Sequence, residues 1–106
     1  MTNKRIELIQ KMLQENPNDC FLNYASALEY AKEGNSKLAI EIMEKLVKQD
    51  QNYLATYYQL GKLYEQEDQV EKALVVFKKG IIIAKQQENI KAIGELEEAL
   101  MILDDI

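Results

Sequence analysis

The chain has 106 residues, 47% hydrophobic and 29% charged, with a net charge of -5, which is the size of one domain and the composition of a folded rather than a disordered one. The negative balance works against nucleic acid or anionic membrane as partners, since both are bound through fields of Lys and Arg. No apolar run reaches the roughly 18 residues of a membrane span, the single cysteine allows no internal disulfide, and no histidine is available as general base or metal ligand.

Apolar residues recur at helical spacing and break at short polar clusters, which predicts six helices, over 3–15, 19–33, 36–49, 53–67, 70–86 and 89–103. The opening "MTNKRIELIQKMLQEN" interleaves charges with apolar positions, so no signal-peptide core is expected there. With one cysteine, the simplest compartment is a reducing cytoplasm. Pro17 ends the first helix by disfavouring helical geometry at Asn16. Cys20 reads as a small, partly buried apolar residue. Gly34 is placed to end the second helix in the left-handed cap conformation. Asn18, Ser36, Asn52, Asp68 and Asn89 are the expected N-caps, with Asp68 and Glu71 as a capping box. Glu7 with Lys11, Glu41 with Lys45 and Glu44 with Lys48 are expected as solvent-side pairs. Short connections make neighbouring helices antiparallel, which leaves a closed bundle or an open stack of hairpins.

Sliding the sequence against itself favours the stack. At an offset of 34, Ala27 falls on Gly61, Tyr30 on Tyr64, Ala39 on Ala73, Met43 on Phe77 and Tyr24 on Tyr58. Tyr57, Leu60, Gly61, Tyr64, Ala73 and Phe77 stand at the spacing of the tetratricopeptide repeat, which the chain resembles. The match is best over 54–87, with Tyr57 in the usual tryptophan place; 20–53 match less well, Asn23, Ser26 and Gln51 departing. In 1–19, Pro17 fits and Arg5 stands where a small alanine is common. The resemblance implies an all-α fold, a right-handed superhelical stack of antiparallel helix hairpins. One domain, 1–106, would comprise a half repeat (1–19), two repeats (20–53 and 54–87) and a capping helix (88–106).

A glycine inside a helix costs about 1 kcal/mol relative to alanine, so Gly61 needs a reason. Two helices approach closely where facing side chains are small, and Gly61 opposite Ala73 is the expected contact, as Ala27 opposite Ala39 in the preceding repeat. Gly80 is expected to let the capping helix pack closely. Ala73→Leu should then cost more than Ala84→Leu, which lies outside that contact.

Nothing in the sequence assembles a catalytic centre: Ser26 and Ser36 have no activating partner, and no phosphate loop or metal-ligand spacing occurs. Glu95, Glu97, Glu98, Asp104 and Asp105 read as a solvated acidic face. The chain is thus expected to be neither an enzyme nor a holder of a cofactor or metal. In the family, the first helix of each repeat lines a concave groove. Carried over, this implies Phe21, Tyr24, Leu28, Ala31 and Lys32, then Ala55, Tyr58, Lys62, Glu65 and Gln66. Phe21, Tyr24, Leu28, Tyr58, Lys62 and Glu65 are the candidate partner-binding residues of a cytoplasmic scaffold or adaptor that holds a protein or peptide by aromatic contact. Lys62 would select an acidic group. Tyr30, Tyr57 and Tyr64 are assigned to packing. Phe21 and Tyr24 have a plainer reading as cover for the first helix. If Tyr24 and Tyr58 line the groove, exchanging both for serine should leave stability nearly intact. The alternative is a structural protein that dimerises through its last helix, where Ile93, Leu96, Leu100, Met101 and Leu103 offer more apolar surface than one packing face uses.

Overall fold

The computed structural model describes residues 3–105 and contains six helices: α1 (Lys4–Glu15), α2 (Cys20–Lys32), α3 (Ser36–Gln49), α4 (Ala55–Gln66), α5 (Val70–Gln86) and α6 (Ile90–Asp104). Among the described residues there is no strand, and no helix is long and apolar enough to cross a membrane. The fold is an all-α helical repeat. It divides into two compact units between Asp50 and Gln51, one holding α1, α2 and α3 and the other α4, α5 and α6.

Four of the helix starts are closed by the side chain just before them: Asn3 Oδ1 accepts from Ile6 N at 3.1 Å, Asp19 Oδ1 from Leu22 N at 2.8 Å, Asn35 Oδ1 from Leu38 N at 3.3 Å and Asn89 Oδ1 from Ala92 N at 3.0 Å. Asn89 is the expected cap, whereas Asp19 and Asn35 take the roles expected of their neighbours Asn18 and Ser36. Asp68 does not cap α5 and forms no capping box, because it sits at φ 56° in the left-handed turn that ends α4. There the amides of Asp68 and Gln69 return to the carbonyls of Glu65 and Tyr64. Gly34, at φ 87°, closes α2 in the same way against Ala31 and Tyr30, and Glu88 closes α5 against Lys85 and Ala84. This wrap satisfies the last orphan carbonyls of each helix.

Asn18 and Asn52 act through their backbones. Each gives its carbonyl to a glutamine at the far end of its own hairpin, Gln49 Nε2 at 2.6 Å and Gln87 Nε2 at 2.7 Å. The sequence departure at Asn23 is resolved similarly. Tyr57 donates its hydroxyl to the Gln51 carbonyl at 2.6 Å, and Asn23, its counterpart one repeat earlier, donates Nδ2 to the Pro17 carbonyl at 3.0 Å. Gln51 and Pro17 are themselves 34 apart, so the repeat keeps the bond while losing the ring. Buried Ser26 donates to the Asn23 carbonyl at 2.8 Å.

In the first unit the core is Ile9, Leu22, Ala27, Ala39, Ile40, Met43 and Leu46. Arg5, out of place for a small residue, pairs its Nε with Glu29 Oε1 at 2.7 Å, which balances a carboxylate that is 7% exposed. The expected pairs Glu7–Lys11 and Glu41–Lys45 do not form.

In the second unit the small residues face large ones. A Cβ added to Gly61 would fall on the Phe77 ring, and one added to Gly80 would lie 2.7 Å from Tyr57 Cβ and 3.2 Å from Leu96 Cδ1. Gly61 therefore makes room first for the Phe77 ring, where Ala73 was the expected neighbour, and Gly80 makes room first for α4 and then for α6. Glycine and aromatic alternate across the α4–α5 pair: each helix supplies one of each. One repeat earlier the same positions hold Ala27 with Met43 and Asn23 with Leu46. A smaller partner there accompanies a larger residue in the glycine place. Ala84, expected outside the contact, is as fully buried as Ala73, so leucine at either position overpacks the core.

Two stability effects follow locally. Gly94, inside α6, has nothing within 4 Å of an added Cβ, so Gly94→Ala should stabilise by about 0.5–1 kcal/mol in urea unfolding. Thr56 is fully buried and its hydroxyl has no hydrogen-bond partner. Thr56→Val keeps the shape and removes the stranded oxygen, so the midpoint should rise, by about 1 kcal/mol of stability.

Candidate functional site

α4 carries Tyr58, Lys62 and Glu65 one helical turn apart, so all three point along one side of the helix. With Glu95, Glu98, Ala99 and Ile102 of α6 they line a cleft of 110 Å³. A second hollow of 240 Å³ adjoins it, sharing Tyr58 and Glu95 and adding Leu54, Ala55, Lys91 and Ala92. Tyr58 is half-buried, its ring tilted 51° to that of Phe77 with centroids 6.4 Å apart. One side of the tyrosine is thus held by the core while the rest faces the cleft. The ring contact also corrects the expectation that Tyr58→Ser is silent for stability, because tilted aromatic pairs contribute about 0.5–1.5 kcal/mol.

Lys62 is committed to a neighbour. Its Nζ lies 3.0 Å from Glu65 Oε2, so its charge is answered before any partner arrives. Glu95 and Glu98, by contrast, take part in no ion pair among the described residues. Lys62, expected to select an acidic group, is thus paired within its own helix, and Glu95 and Glu98 are the unpaired charges of the cleft lining.

Phe21, Tyr24 and Leu28 belong to the first unit, where they follow one another along α2 at helical spacing. Phe21 is 66% exposed, and Tyr24 and Leu28 are half-buried. Tyr57 and Tyr64 are buried in the core, and Tyr30 is half-buried and accepts from Gln10 Nε2 at 3.0 Å. Of the apolar residues expected to be in excess on α6, Leu96 and Leu103 are buried and Ile93 and Leu100 half-buried, leaving Met101 exposed. The residues missed by sequence reasoning are Glu95, Glu98 and Ile102, whose helix departs from the repeat pattern. The acidic run on α6 was their one signal.

Burial pushes the Cys20 thiol above its ordinary pKa, and Asp50, whose Oδ2 accepts from Sγ at 3.6 Å, pushes it further. A thiol held protonated is a poor nucleophile. Among the described residues no cluster of three or more His, Cys, Asp or Glu side chains could hold a metal ion.

Antiparallel hairpins that recur every 34 residues, with a cleft between a repeat's first helix and the helix that follows the repeat, define a helical-repeat protein of the tetratricopeptide class. The family model described as ChAPs (Chs5p-Arf1p-binding proteins) matches residues 3–99. A tetratricopeptide repeat domain protein from Salinibacter ruber is similar in its crystal structure at 36% identity, covering 83% of this chain and 98% of that one with a TM-score of 0.79. Its solution structure gives 37% identity, 85% and 91% coverage and a TM-score of 0.82. The TPR2B domain of yeast Sti1, solved as a complex with pHsp70, shares the fold at 16% identity, covering 94% of this chain and 80% of that one with a TM-score of 0.87. No curated protein is significantly similar. The chain belongs to the tetratricopeptide-repeat proteins, in the ChAPs family whose model it matches. It is a protein–protein interaction module of that class.

Proposed function

We propose that the chain is a non-enzymatic adaptor that holds a peptide or helix of a partner protein against an aromatic-lined face. Tyr58, Lys62 and Glu65 are the contact residues in the second unit, and Phe21, Tyr24 and Leu28 are those on α2 of the first. The observation that carries this reading is the α4–α6 cleft: three residues chosen from repeat register meet α6 side chains around one half-buried tyrosine. Tyrosine in such a place offers a large rigid contact area with a polar tip. The relative from yeast is bound to pHsp70 in its complex, which supports a protein partner for this chain too. The net charge of -5 argues for protein over nucleic acid or anionic membrane, no cofactor enters the reading, and a free Cys20 suits a reducing cytoplasm.

The test is Tyr58→Ser, with binding of a selected peptide measured per folded molecule. Stability should fall by about 0.5–1.5 kcal/mol for the ring pair, with a further loss for the half-buried part of the ring. Affinity should fall by about 2 kcal/mol or more, as for an interface hot spot. A variant that binds normally once corrected for its folded fraction would remove Tyr58 from the site. Self-association through α6 is a second reading, favoured by Ile90 and Met101, which are 82% and 61% exposed. Light scattering at micromolar concentration separates the two, since a monomer leaves the dimer without support.

A further inference from the structure

The cleft at Tyr58 has a chemistry that narrows the partner. Its apolar lining is Tyr58, Ala99 and Ile102, and its charged lining is Lys62, Glu65, Glu95 and Glu98. The Lys62–Glu65 contact of 3.0 Å cancels one positive against one negative charge, which leaves two carboxylates on α6. Glu95 and Glu98 are three residues apart and both exposed, so they stand on the same side of the helix. Lys91 lies beyond Glu95 in the adjoining hollow and is the remaining cation on this face of α6. An aliphatic stem laid over a tyrosine and an isoleucine, ending between two carboxylates, describes a lysine or arginine side chain.

We propose that the α4–α6 cleft selects a partner segment presenting a lysine or arginine, whose stem packs on Tyr58 and Ile102 and whose charge is met by Glu95 and Glu98. The selection rests on the reading of this cleft as the partner site. It reverses the preference drawn from Lys62 alone, because Glu65 already occupies that cation.

Short labelled Leu/Ala/Arg peptides, with counterparts carrying Glu or Gln in place of Arg, test this by fluorescence anisotropy against the intact chain. The Arg peptide should bind best and weaken as salt rises. Glu95→Gln with Glu98→Gln should weaken it by about tenfold, while Lys62→Gln, which removes the like charge from the cleft, should tighten it. Glu98→Gln alone should weaken it measurably, while Glu97→Gln, which removes the same single charge from a residue outside the cleft lining, should change little. Tighter binding of the Glu peptide, or an equal loss for Glu97→Gln and Glu98→Gln, would overturn the selection. Failure of the cleft reading itself looks different: no peptide, including the uncharged one, would then respond to Tyr58→Ser.

Discussion

Replacing Phe77 by alanine should cost about 3–5 kcal/mol, the range for removing a fully buried aromatic ring. Its ring is 0% exposed and fills the space that Gly61 leaves open. The complementary change fills that space from the other side. An alanine Cβ at position 61 would lie 2.5 Å from Phe77 Cζ and 2.7 Å from Cδ1, so the ring must move. Gly61→Ala should therefore destabilise by about 1–3 kcal/mol, even though alanine gains about 1 kcal/mol in helix propensity. The two changes should also be coupled. In a Phe77→Leu background the ring is gone, and Gly61→Ala should become far less costly, a non-additivity that a double-mutant cycle in urea reads directly. Strictly additive losses would mean that Phe77 is not what keeps position 61 a glycine.

Tyr57→Ala should be comparably severe, about 3–5 kcal/mol, since the side chain is 0% exposed and its hydroxyl bonds to the Gln51 carbonyl. Tyr57→Phe isolates that bond and should cost about 1 kcal/mol. The neighbouring glycine gives a different outcome from Gly61. An added Cβ at Gly80 meets Tyr57 at its own Cβ, 2.7 Å away, and alanine retains that atom. Gly80→Ala should thus remain destabilising, by about 1–3 kcal/mol, even in the Tyr57→Ala background. Relief there would place the obstruction on the ring, contrary to the geometry.

The helices were legible because a 3.6-residue apolar period is a local signal, and no described helix end differs from its expected position by more than two residues. The loops were read less well. A side-chain cap and a backbone latch draw on the same residue types, and only the distant Gln49 and Gln87 reveal that Asn18 and Asn52 act through their carbonyls. Likewise the sequence marked Gly61 as meaningful but paired it with Ala73 on the idea that small meets small. Close packing conserves volume, so the glycine meets the largest residue opposite it. Repeat register located Tyr58, Lys62 and Glu65 on one side of α4. It could not extend to α6, where Glu95 and Glu98 complete the cleft, nor show that Glu65 already holds Lys62.

Amide chemical-shift mapping on the intact chain, with a peptide selected for binding to it, tests the central claim most directly. Shifts concentrated at Tyr58, Lys62, Glu95, Glu98 and Ile102 are expected. Shifts confined to the exposed side of α5 around Val75 and Ile82, with α4 and α6 unmoved, would contradict it.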